Sequence, residues 1–99
     1  MKLMDFYTDS TGKKHDPLEL WMRLQEETSG ELIDVLRHIN LLASKPERKP
    51  DDEIELSQAI YRIGNAGKAV FGEGESEART LYAYYLEVCN FVSWFVKKD

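Results

Sequence analysis

The chain has 99 residues, a formal net charge of −5 and one cysteine. It is sized for a single domain that buries only about 60–70% of its unfolded surface, which leaves little room for a deep catalytic cavity. Scattered lysines and arginines argue against a nucleic-acid footprint, which needs a clustered basic face. The lone Cys89 rules out an internal disulfide and fits a cytoplasmic setting. Asp5 interrupts what would be the apolar run of a signal peptide, and Glu87, Asn90 and Ser93 interrupt the best candidate for a membrane span.

Leu3, Phe6 and Tyr7 precede Thr8-Asp9-Ser10-Thr11-Gly12-Lys13, a dense turn signal. Residues 1–16 therefore read as an arm or short hairpin. An isolated hairpin is marginal in water, so this one must dock on the rest of the chain. Residues 17–99 read as an all-α bundle of three to four helices within the same domain.

Asp16-Pro17-Leu18-Glu19 combines an N-cap acid, proline at the first helical position and a glutamate three residues after the cap. The helix it starts runs to about Thr28 and offers Leu18, Leu20, Trp21, Met22 and Leu24. Thr28-Ser29-Gly30-Glu31 repeats the capping-box spacing and opens a second helix to about Ser44. A break is expected at Ser29-Gly30, because glycine inside a helix costs ~1 kcal/mol relative to alanine. Leu32, Val35, Leu36, Ile39, Leu42 and Ala43 form the stripe of the second helix, with Asp34, Arg37, His38 and Leu41 on other faces.

Lys45-Pro46-Glu47-Arg48-Lys49-Pro50 reads as an exposed linker. Asp51 or Asp52 is then the expected cap of a third helix ending near Phe71, with the stripe Leu56, Ala59, Ile60, Ile63, Ala66, Gly67, Val70 and Phe71. Gly64 and Gly67 on its buried side invite close approach by a neighbouring helix. Gly72-Glu73-Gly74 stops it, and Gly74 or Ser76 is the expected start of the last helix. The acidic groups at 51–55 and 73–77 coincide with helix starts, where backbone dipoles favour negative charge.

The last helix, from Ala78 to Val96, is too apolar for one side. Its apolar residues cover roughly 220° of arc at ~100° per residue, whereas a surface helix needs a stripe only a little over ~100° wide. Leu81, Tyr85, Val88, Val92 and Phe95 are expected in the core, facing Ile60, Ile63 and Gly67. Tyr84, Phe91 and Trp94 are expected on a flank that meets the arm or a partner. Trp94, Phe91, Tyr84 and Tyr82, together with Leu41, are the candidate partner-binding residues, since aromatic side chains dominate interface hot spots.

For chemistry, Glu27, Glu31, Asp34 and His38 are the candidate metal ligands, the last three on one face of the second helix. Within that face, Glu31-Leu32-Ile33-Asp34 resembles the E-x-x-D element of the all-α nucleotide pyrophosphohydrolases related to MazG. The resemblance implies magnesium held by two acidic pairs, the other in an E-E-x-x-E helix. It spans about six residues, and Glu26-Glu27 would have to share Glu31 with it. The third helix supplies no second E-x-x-D. Gly64-Asn65-Ala66-Gly67-Lys68 lacks the longer loop and the following Ser or Thr of a phosphate loop. The primary expectation is a protein–protein interaction module without a cofactor. It would be a small helical inhibitor, an immunity or anti-defence-type protein, or an assembly adaptor, binding a larger protein and pairing with itself. The alternative is a divalent-metal-dependent nucleotide hydrolase at Glu27, Glu31, Asp34 and His38.

Overall fold

Two short strands precede four helices in the computed structural model, which describes residues 5–76 and 78–97. β1 (Tyr7–Thr8) and β2 (Lys14–His15) pair antiparallel, with Tyr7 opposite His15 and Thr8 opposite Lys14. Asp9 organises the turn between them. Its Oδ1 accepts the backbone N–H groups of Thr11 at 2.9 Å and Lys13 at 3.1 Å, the local bonding that suits aspartate to turns. Its Oδ2 lies 2.7 Å from His15 Nε2. The expected hairpin is present; Leu3 lies outside the described residues.

α1 (Pro17–Glu27) starts where the sequence says, with Asp16 accepting the Leu18 N–H at 3.0 Å. It ends in a paired motif: the Ser29 N–H reaches Glu26 O at 3.1 Å and the Gly30 N–H reaches Gln25 O at 2.7 Å. Ser29 and Gly30 have φ of 55° and 79°, which breaks the helix as expected. Thr28, however, closes α1 and does not cap α2 (Leu32–Ala43). Its buried hydroxyl donates back to Leu24 O at 2.8 Å, the helix-internal bond open to threonine. Glu31 takes the cap position without a side-chain bond, and Arg62 pins the joint by donating to Thr28 O at 3.0 Å and to Glu31 at 2.7 Å.

α3 (Pro50–Phe71) begins earlier than the acid caps implied, because proline serves as its first residue. Asp52 sits in the first turn and reaches back to accept the Lys49 N–H at 3.1 Å. α4 (Leu81–Lys97) begins later than Gly74 or Ser76. Thr80 is its cap, with Oγ1 accepting the Ala83 N–H at 3.1 Å.

α3 is the axis of the bundle and packs against α1, α2 and α4. Its glycines do what their position promised. A Cβ at Gly64 would lie 2.6 Å from the Leu81 carbonyl oxygen, and one at Gly67 would lie 2.8 Å from that of Tyr84 and 2.9 Å from Val88 Cγ2. The α4 backbone therefore rests directly on α3. That seat rotates α4 relative to expectation, so Tyr84, Val88 and Phe91 face the core. Tyr85, Val92 and Phe95 lie at its margin, where Phe95 stacks on Trp21 of α1 at 4.8 Å. No helix among the described residues is long and apolar enough to cross a membrane.

Candidate functional site

Glu87 is the side chain that composition alone places worst. It is a carboxylate only 3% exposed, on the core side of α4 between Tyr84 and Phe91. A buried charge is tolerated only when paired and hydrogen-bonded, and here the hairpin supplies the partners. Tyr7 donates its hydroxyl to Glu87 Oε2 at 2.6 Å, and Ser10 donates its N–H at 2.9 Å and its hydroxyl to Oε1. Arg79, just ahead of α4, completes the set at 3.1 Å. The same guanidinium pairs with Glu75 and lies 4.5 Å from the centre of the Tyr84 ring. The Tyr84 hydroxyl in turn donates to Glu75 at 2.6 Å.

The electrostatics follow from these contacts. Burial pushes the Glu87 carboxyl up, but the bonds from Ser10, Tyr7 and Arg79 outweigh it and hold the group below its ordinary value of 4.5. Asp9 behaves alike: burial raises it, while His15, Thr11 and Lys13 together bring it below 3.8. Burial, and then the bond to Glu87, push the Tyr7 hydroxyl far above its usual range, so it stays a donor. Because the folded values of Glu87 and Asp9 are depressed, their stabilisation is fully present above the ordinary values and is lost as pH falls through the folded ones. The melting temperature should therefore hold level from neutrality down to about the carboxylate range and drop below it. A melting temperature unchanged down to pH ~3 would contradict the depressed values.

This clasp fastens the hairpin over one side of α4. Tyr7 meets Phe91 edge-on at 5.1 Å and Trp94 at 5.4 Å. Between the turn and the α3–α4 connection lies a cleft of about 660 Å³ lined by Ser10, Thr11, Glu73, Glu75 and Arg79 among others. Its acids are matched to arginines: Glu75 to Arg79, and Glu73 to Arg23 at 2.6 Å. Two hydroxyls that line it, those of Ser10 and Thr11, donate to the carboxylates of Glu87 and Asp9.

The candidate partner-binding residues now divide. Tyr84 and Phe91 are buried within the chain and present no surface to a partner; Phe91, with Trp94, instead meets the arm through Tyr7, the other contact expected of that flank. Their burial follows from the glycine seat and the Glu87 clasp. Trp94 is half-covered, stacked near Phe91 and met by Tyr7. Tyr82 remains open at 56% exposure. Leu41 is 68% exposed on α2, on a face that helical spacing turns away from α4.

What does remain on α4 is its outer face. Tyr82, Leu86 and Val96 are exposed, and Tyr85, Cys89 and Val92 are half-buried beside them. Tyr85, Cys89, Val92 and Ser93 line a groove of about 200 Å³ with Leu36 and Asn40 of α2. Burial raises the Cys89 thiol above its ordinary value and pushes the Tyr85 hydroxyl up to about 12. Glu87 and Lys97 are the only charged residues of α4, and Glu87 points inward. From Leu81 to Val96 the outer face thus carries no charge at all. Interface centres are depleted of charge in this way, and ordinary solvent faces are not.

The candidate metal ligands do not converge. Glu31 is bound to Arg62 at 2.7 Å and His38 lies 3.2 Å from Glu55 on α3, while Glu27 and Asp34 face solvent. The α1–α2 break carries Glu27 onto a separate helix. Among the described residues no group of three or more His, Cys, Asp or Glu is placed to hold a metal ion. Comparison with family models, with curated proteins and with solved structures finds no match to the chain.

Proposed function

We propose that this protein is an interaction module that works by laying the outer face of α4 against another protein. It acts by binding and not by catalysis, in the manner of a small helical inhibitor, an immunity or anti-defence-type protein, or an assembly adaptor. The observation that carries the reading is the uncharged strip of Tyr82, Tyr85, Leu86, Cys89, Val92 and Val96 along a helix whose other side is already filled. A core needs only one side of α4. On the second apolar side Tyr82, Leu86 and Val96 stay exposed in the monomer, and burying exposed apolar surface is favourable by about 25 cal/mol per Å². A cytoplasmic setting suits the single thiol, and neither a cofactor nor a metal is required.

The test is a double variant, Tyr82→Lys with Leu86→Lys. Both positions are exposed, so circular dichroism and melting should change little, within about 0.5 kcal/mol per site. Affinity capture from the native host, read by mass spectrometry, should recover a partner with the unaltered chain and lose it with the variant. Identical recovery by both chains would remove α4 as the docking face.

A further inference from the structure

We infer that the hairpin is a strap that lifts from α3 and α4 while the helical bundle stays folded, uncovering Phe71, Phe91 and Trp94. The parts of such a device are separate in the chain. The strap holds itself together: Asp9 accepts from the backbone of Thr11 and Lys13 and lies on the ring of His15, so these bonds travel with it. The hinge is Asp16, one extended residue between β2 and Pro17, with φ −69° and ψ 118°. Its carboxylate caps α1 through the Leu18 N–H, a bond on the bundle side of the hinge. The latch is Glu87, on which the bonds from Tyr7 and Ser10 converge.

A segment opens on its own when its release costs less than unfolding the remainder. Among the described core residues Tyr7 alone comes from the hairpin, and the others belong to the helices. Phe6 beside it is exposed. Lifting the strap gives up the burial of Tyr7 and the edge-on contact of His15 with Phe71 at 5.3 Å, while Leu24, Leu32, Ile63 and Val88 keep their packing. Nor does release strand a buried charge, which would be costly. Arg79 stays 3.1 Å from Glu87, and water enters on the side that Tyr7 leaves. The ground beneath the strap is aromatic: Tyr7 meets Phe91 and Trp94 edge-on and lies 6.3 Å from Phe71. Opening thus adds rings to the surface without breaking a helix.

Amide hydrogen exchange on the full chain, followed by NMR in low concentrations of urea, tests the strap. The Ser10 N–H reports release directly, because its acceptor sits on α4. It should be protected at least about tenfold less than the amides of Ile63 and Val70 in α3, which exchange by global unfolding. Its urea dependence should be shallow but measurable, since release exposes a small surface. A zero slope would mean that the amide is freed by a local fluctuation, and a protection and slope equal to those of α3 would mean that the arm leaves only with the whole fold; either overturns the strap. Ile39→Val supplies the second arm of the test, since Ile39 is buried in α2. It should lower protection in α3 by roughly two- to tenfold and leave Ser10 unchanged, because the open state keeps α2 packed. An equal fall at Ser10 would join the hairpin to the bundle as one unit and end the proposal.

Discussion

Glu87→Ala should destabilise the protein by about 3–5 kcal/mol, the range for removing one partner of a buried ion pair. The carboxylate accepts from Tyr7, from both donors of Ser10 and from Arg79. Deleting it leaves a largely buried guanidinium and a buried phenol facing an empty space, and each unpaired group adds its own desolvation cost. The hairpin should then detach from α4 and expose Trp94, whose cover is Tyr7. Urea unfolding followed by tryptophan emission reads both effects. Glu87→Gln keeps the shape and one acceptor and should lose less. A loss under about 1 kcal/mol for Glu87→Ala, below even a single surviving desolvation penalty, would mean that the clasp does not hold the arm.

Gly67→Ala should cost about 3 kcal/mol, at the top of the usual overpacking range, although alanine in a helix is intrinsically favoured by ~1 kcal/mol. The added carbon meets the Tyr84 carbonyl oxygen at 2.8 Å, and a backbone atom cannot rotate away as a side chain can. α4 must lift off α3, which loosens Val88 and Phe91 together. For a domain of this size the loss corresponds to a fall of roughly 12–24 °C in melting temperature. A Gly67→Ala protein as stable as the parent would show that the two helices can separate without loss.

Helix periods, the hairpin, the break at Ser29 and the packing role of Gly64 and Gly67 are local properties, set by residues close in the chain, and they could be read from it. The face of α4 was harder. With apolar residues around roughly 220° of arc, periodicity cannot say which side goes in, because more than one rotation buries enough surface. The decision rests on two non-local facts: where the glycines seat the backbone, and where the hairpin brings Tyr7 and Ser10. Glu87 was the readable clue. It falls three residues after Tyr84 and four before Phe91, so an acid there either splits the core face or marks a partner arriving from elsewhere. The acid row of Glu31, Asp34 and His38 misled for the opposite reason. Residues sharing one helix face need not share a site, and α3 offered them Arg62 and Glu55 separately.

The bond from Tyr7 to Glu87 spans 80 positions of the chain. At a synthesis rate of about 5–20 residues per second, the hairpin leaves the ribosome roughly 4–16 s before the helix it fastens to. During that interval the tyrosine has no carboxylate to reach, and docking must follow the growth of nearly all the intervening chain. Closing so long a loop is entropically costly unless the helices between have already drawn the two ends together. The clasp is thus a late step of maturation, and a nascent chain stalled before α4 would have no carboxylate on which to fasten its arm.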